Sequence, residues 1–294
     1  MRSIGNVDVL VCSNPDYRAV NTMSTKSPVH EQCCPPPLLE FANITVTAGN
    51  AKLIDSLSVT IHEGEHIAIL GPNGSGKSSF IKTITREYYP LRRDSGMVFR
   101  IRGKDVWRIS DLRSLLGIVS HDLQHTFMRE ITGREVILSG FFSSIGLFRH
   151  RVTPAMERKT DEILRFLEID HLGARCMTEM STGEARRFLI GRALVHDPKT
   201  LILDEPTTSL DLHALHAFRS TLRSIAASGT GIIMVTHNIH DIIPEISRVI
   251  LMKDGTFFRD GSKEEILTDE TIGGLFGVRL RIRKEGEWYY ATGY

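Results

Sequence analysis

The residues best suited to chemistry fall in three short runs. Gly71-Pro72-Asn73-Gly74-Ser75-Gly76-Lys77-Ser78 has the spacing G-x-x-x-x-G-K-[ST], which binds phosphate when it follows a strand and opens a helix. The glycines let backbone N–H groups converge on phosphate oxygens, and the N-terminal end of the following helix adds a positive dipole. Lys77 is placed to hold the β- and γ-phosphates and Ser78 to hold Mg²⁺, with Ser79 continuing into the helix. A dinucleotide fingerprint is excluded, because its third glycine falls on Ser79. The second run, Leu201-Ile202-Leu203-Asp204-Glu205, is an apolar strand ending in two carboxylates that point to opposite faces. Asp204 suits orientation of Mg²⁺ and its waters, and Glu205 suits acceptance of a proton from an attacking water in in-line phosphoryl transfer. The third is His237, which ends the apolar strand GIIMVTH and, among twelve histidines, stands out by that strand-end position.

The elements around these runs supply the required context. HIAIL, before the phosphate loop, reads as a compact strand, and SFIKTITREYY, after it, as a helix. LLEFANITV and KLIDSLSVTI alternate with period two, so a β-rich edge opens the domain. Residues 121–190 are helical in composition, with GREVILSGFF, PAMERKTDEILRFLEI and EARRFLIGRAL separated by Gly, Thr and Ser breaks. TLILDEP and GIIMVTH read as buried strands flanking the helix LHALHAFRSTLRSIAASG, a βαβ arrangement with parallel strands. RVILMKDGTFFRDG predicts a hairpin turning at Asp254-Gly255. A short helix near KEEIL and a strand pair within VRLRIRKEGEWYYAT follow, the latter a C-terminal β extension of about residues 277–294. The expected fold class is therefore α/β: a three-layer P-loop core with an antiparallel β subdomain and an inserted helical subdomain at about 121–190. Residues 1–37 mix Ser, Thr, Asn and Pro and end in Cys33-Cys34-Pro35-Pro36-Pro37, the pattern of a leader outside a folded domain of 38–294.

Composition narrows the partners. The 36 Lys and Arg residues nearly balance 35 Asp and Glu, so no electrostatic footprint for a nucleic-acid backbone is expected. Cysteines 12, 33, 34 and 176 lack metal-site spacing and read as free thiols. Apolar runs such as Gly231 to Val235 fall far short of the ~20 residues that cross a bilayer. The start shows no secretory pattern, so a cytoplasmic location is the expectation.

With Met180-Ser181-Thr182-Gly183-Glu184 ahead of a helix and Thr207-Thr208-Ser209-Leu210-Asp211 after the carboxylates, the chain resembles the nucleotide-binding domain of ATP-binding cassette (ABC) proteins over residues 38–267. The resemblance implies a head-to-tail homodimer enclosing two ATP molecules, each between the phosphate loop of one copy and the signature of the other. It assigns Ser181, Gly183 and Glu184 to the signature, Asp211 to the D-loop and His237 to the γ-phosphate. The glutamine that senses Mg²⁺ aligns with His121, while Gln124 stands three residues on, and either residue fits that role. Ser181 and Glu184 also have the spacing of a helix-capping box. Three positions depart from the family pattern. Thr47-Ala48-Gly49 stands where an adenine-stacking ring is expected, Thr182 replaces a glycine, and Glu184 replaces a glutamine.

The resemblance further implies a separately encoded transmembrane permease, with the ATPase on the cytoplasmic face. VILSGFFSSIGL is similar to stand-alone ATPase subunits of molybdenum- or iron-type importers. Ile137 to Phe148 would then lie beside the groove that receives the permease, with subdomain core as the competing reading for any one of these residues. Arg279, Arg281 and Arg283 share one strand face and read as a solvated edge. Two other classes compete with the transporter subunit. One is an ABC ATPase without a membrane partner, in DNA maintenance, assembly or regulation, and the other a nucleotide-binding scaffold without turnover.

Overall fold

The computed structural model describes residues 37–91 and 96–293, the side chains of His121 and Asp122 excepted. The expected leader thus lies outside the described residues except for Pro37, and so do three of the cysteines. Cys176 is described and is a free, half-buried thiol.

A long hairpin opens the fold, β1 (Pro37–Ala48) with β2 (Ala51–His62), whose inward side chains Leu39, Phe41, Leu57, Val59 and Ile61 are buried. β3 (His66–Leu70) then runs through the glycine-rich loop into α1 (Lys77–Ile84). The pattern SFIKTITREYY suggests a helix to Tyr89, but the structure ends it at Ile84. Thr85 caps the helix, and Arg86 turns left-handed (φ 63°) to lay its guanidinium 3.6 Å from the centre of the Phe99 ring. A propensity argument misses this stop, because it is set by a tertiary cation–π contact. β4 (Val98–Ile101) pairs with β1 and completes an antiparallel three-stranded sheet.

After α2 (Ile109–Leu115) and β5 (Leu116–Val119) come α3 (His121–Phe127), α4 (Gly133–Ser139), α5 (Pro154–Phe166) and α6 (Thr182–Leu194). Local chemistry starts three of these helices: Thr132 with Glu135 and Ser181 with Glu184 form capping boxes, and Thr153 caps a helix with Pro154 in its first turn. Arg134 of α4 bonds Glu157 and Asp161 of α5, tying the two helices together.

β6 (Thr200–Asp204), α7 (Leu212–Ala227), β7 (Gly231–Thr236), β8 (Arg248–Lys253) and β9 (Thr256–Ser262) complete the main sheet. Its order is β5-β6-β7-β3-β8-β9, parallel except for the final strand, which returns at Asp254-Gly255. Alternate residues of the central strands serve different layers. Ala68, Leu70, Leu201, Leu203, Ile232 and Met234 join a core with Phe127, Phe188 and Phe218, whereas Ile67, Ile69, Ile202, Ile233 and Val235 join a core with Phe41 and Phe80. Burial on both faces explains why these strands read as continuous apolar runs. The chain ends with α8 (Lys263–Ile266), α9 (Asp269–Phe276) and the hairpin β10 (Arg281–Glu285) and β11 (Trp288–Thr292). Arg281 and Arg283 are exposed on β10 and Arg279 is exposed just before it. On β11, Trp288 lies beneath the guanidinium of Arg219. No helix among the described residues is long and apolar enough to cross a membrane.

Candidate nucleotide site

β3 lies between β7 and β8 and delivers Gly71 at its C-terminal end, where the Gly71 N–H donates to Thr236 O at 3.2 Å. Two glycines are required here by contact. A Cβ at Gly71 would stand 2.2 Å from Met252 O, and Gly76 has φ 104° with Leu53 O 2.8 Å from its would-be Cβ. Ser75 is buried beneath the loop, its carbonyl accepting from Gly255 N–H, while Asn73, Gly74 and Ser78 are exposed. Pro72 and Ser79 are half-buried on either side. Gly76 is the N-cap of α1 and offers no side chain, so no cap side chain satisfies the first N–H groups of that helix.

Lys77 is 4% exposed and folds back on the loop, its Nζ donating to Gly71 O and Pro72 O at 2.9 Å each, with Glu205 Oε1 at 3.6 Å. Burial lowers its pKa, opposed by the charges of Glu205 and Asp204. Glu205 follows β6 with φ 47°, and its N–H donates to Val235 O at 2.8 Å. That left-handed backbone is costly for a residue with a Cβ, and it turns the side chain toward His237, whose Nδ1 lies 3.1 Å from Glu205 Oε1. Lys77, Ser78, Asp204, Glu205 and Thr208 line one cleft of about 1340 Å³, which also reaches Lys52 and Leu53. The Thr47-Ala48-Gly49 segment forms the tip of the β1–β2 hairpin, exposed at Ala48 and Gly49, with no ring to offer a base.

The other candidates lie apart from this cluster. Ser181 Oγ accepts from Glu184 N–H at 3.3 Å and Ser181 N–H donates to Glu184 Oε2 at 2.8 Å, so the signature is the capped start of α6. Ser181 N–H holds the Glu184 carboxyl below its ordinary pKa. Gly183 is buried against Ala214, and Asp211 caps α7 by accepting from Ala214 N–H at 2.7 Å. None of these residues lines the cleft within one copy. Gln124 is half-buried with its Oε1 accepting from Arg186 at 2.6 Å, and the side chain of His121 lies outside the described residues.

A model of the family described as ABC transporter matches residues 54–208. The chain belongs to the ABC transporter family. It is 32% identical to the Nod factor export ATP-binding protein I of Rhizobium meliloti, over 81% of this chain and 68% of that protein. It is 30% identical to the hemin import ATP-binding protein HmuV of Bradyrhizobium diazoefficiens, over 82% and 89% respectively. Among solved structures it is similar to cbiO1 of Clostridium perfringens, part of the ABC transporter complex cbiONQ. There the TM-score is 0.68, with 26% identity over 81% of this chain and 93% of that one. The fold is that of an ABC cassette, as the sequence reading expected.

Two residues of this ABC cassette escape sequence reading. Asp241, 2% exposed, accepts from Thr207 at 2.5 Å and from Thr236, bridging the turn after Glu205 to the strand end before His237. Burial raises its pKa, and the two hydroxyls, Arg219 and His237 offset only part of that effect. Arg186 is 3% exposed and joins α6 to Gln124 and to the carbonyls of Pro206 and Thr208. The available signal for Arg186 was a basic residue on the buried stripe it shares with Ile190. Asp241 gave none, since an acid after a histidine looks like an ordinary loop residue. The stretch Ile137 to Phe148 divides in the middle. Ile137, Leu138 and Ser139 are core, Ser143, Ser144 and Ile145 line the far end of the cleft, and Phe148 is 79% exposed.

Proposed function

We propose that this chain is the ATP-hydrolysing subunit of an ABC transporter. It acts as a homodimer on the cytoplasmic side of a separately encoded permease and drives import. The observation that carries the catalytic part is the convergence of Lys77 and His237 on the Glu205 carboxylate at the mouth of the phosphate loop. In this reading Lys77 exchanges the carbonyls of Gly71 and Pro72 for phosphate oxygens, and the N–H groups from Gly74 to Ser79 surround the same anion. Glu205 takes the proton of the attacking water, and a hydrogen bond from His237 Nδ1–H fixes its orientation and leaves Nε2 for the γ-phosphate.

The Ser78 hydroxyl and the Asp204 carboxylate are hard oxygen donors on the same cleft and suit Mg²⁺. They would hold the ion, with Gln124 or His121 as the third candidate. When bound, Mg²⁺ neutralises charge on the β- and γ-phosphate oxygens. The capped start of α6 at Ser181, Gly183 and Glu184, exposed at Ser181, lies outside the cleft of its own copy, which supports an arrangement in which it closes the cleft of a second copy, with Asp211 at the seam. Adenine is held without a stacking ring, beside Lys52 and Leu53.

Relatives of similar identity are named for export and for import. The direction proposed here therefore rests on the likeness of VILSGFFSSIGL to importer subunits. Ser143 to Ile145 and the exposed Phe148 offer the permease a contact continuous with the nucleotide cleft. Affinity purification of the tagged chain from solubilised native membranes, with a non-hydrolysable ATP analogue, tests this. Recovery of a multi-span protein in near-equal amount is expected. Recovery of no membrane protein, from a chain that still hydrolyses ATP, supports the ABC ATPase without a membrane partner instead.

A further inference from the structure

Arg186 is a full charge held in the interior of the cassette. Its acceptors among the described residues are neutral oxygens on two separate segments. Nη2 donates to Gln124 Oε1 on α3 at 2.6 Å, and Nη1 donates to Pro206 O and to Thr208 O, the latter at 3.2 Å. Burial lowers its pKa to about 10, opposed by the charge of Asp241, which leaves it ionised at neutral pH. A buried charge satisfied by neutral groups is a poor source of stability, because its desolvation cost offsets most of what the bonds return. A planar, donor-only fork is a good source of orientation.

What the fork orients is the turn that begins at Glu205. Pro206 and Thr208 are part of that turn, and Glu205 itself sits in the left-handed region at φ 47°. Such a conformation persists only where its surroundings over-determine it. The Glu205 N–H is held from β7 through Val235 O, and the carbonyls just after it are held from α6 through Arg186. The second bond of the fork takes up Gln124 Oε1, the atom with which that side chain would meet a metal ion.

We propose that Arg186 is the positioning residue for Glu205. It clamps the turn after the base and joins it, through Gln124, to the start of the helical region, so that Glu205 is aligned only while α3 and α6 are seated on the core. The proposal rests on the hydrolytic reading of the site. Arg186 touches neither nucleotide nor water in this account, so its removal is expected to lower kcat while leaving the phosphate loop, and with it KM, intact.

The test compares steady-state ATP hydrolysis by wild type, Arg186→Gln and Arg186→Lys, with thermal melting and binding of a fluorescent ATP analogue measured alongside. A fall in kcat of about 10- to 100-fold in Arg186→Gln, with KM within about threefold of wild type and partial recovery in Arg186→Lys, is expected for displacement of a reacting group by a fraction of an ångström. If Arg186→Gln does not fold, Arg186→Lys decides by the same criterion. Unchanged kcat overturns the proposal, whatever happens to the melting temperature. A rise in KM as large as the fall in kcat also overturns it, since that marks collapse of the whole site. Wild-type protein with no turnover above Glu205→Gln would instead overturn the ATPase reading, and the proposal with it.

Discussion

Residues 71–78 take their conformation from the strands that directly flank them, whereas residues 205–208 depend on side chains that arrive from α6 and from the turn after β7. The phosphate loop is confined by Met252 O, Leu53 O and the Thr236 carbonyl, all backbone atoms of neighbouring strands. The turn after Glu205 is confined by Arg186 and by the carboxylate of Asp241 acting through Thr207. Both line one cleft, yet one is fixed by sterics on glycine and the other by buried polar side chains. In the proposed ATPase reading the difference separates two tasks. Binding phosphate needs a rigid backbone cradle, and placing a base needs an orientation that the rest of the domain sets and changes.

The largest effects on nucleotide binding should come from breaking the phosphate-loop half. Gly71→Ala puts a Cβ against backbone that has no free direction to move. Overpacking of ~1–3 kcal/mol corresponds to affinity lost by up to about 100-fold, readable as titration with a non-hydrolysable ATP analogue. Lys77→Ala leaves the loop shape but removes its cation. Loss of a charge-assisted bond worth ~1.5–3 kcal/mol weakens the same binding by about 10- to 100-fold. On the other half, Thr207→Val strips one hydroxyl from buried Asp241 at a cost of ~1–2 kcal/mol. Chemical denaturation should show that loss, and kcat should fall more than analogue affinity does.

The smallest effect belongs to the signature cap. Ser181→Ala should cost about 1 kcal/mol of stability. Glu184 contributes through a depressed pKa, so its stabilisation is present above the ordinary carboxylate range and is lost as pH falls through the lowered folded value. Glu184→Gln should therefore melt below wild type at neutral pH and converge with it on acidification. A constant difference across that range would break the assignment.

The same contrast explains what the sequence reveals. The phosphate loop, the Asp204-Glu205 strand end, the Ser181–Glu184 capping box and the Asp254-Gly255 turn are written in residues close together in the chain, and the βαβ order follows from apolar runs that serve both faces of the sheet. The early end of α1 is not legible, because the ring that draws Arg86 out of the helix arrives from β4, thirteen residues later. Arg186 and Asp241 are hidden for a related reason: apart from Thr236, close before Asp241, their partners lie far away in the chain, and each residue type on its own suggests a solvated surface. Gln124 shares the metal-sensing position with His121 only through the family resemblance, and the structure adds that its oxygen accepts from Arg186.

The central claim is that Glu205 acts as the base of an ATPase, with Lys77 and His237 placing charge and hydrogen bonds around it. Single-turnover hydrolysis of radiolabelled ATP by wild type and Glu205→Gln, at protein in excess over nucleotide and with binding measured on the same samples, tests it most directly. The account predicts that the variant still binds ATP while its rate falls by about 10²- to 10⁴-fold, the contribution of a positioned general base. Equal rates in the two proteins would contradict it.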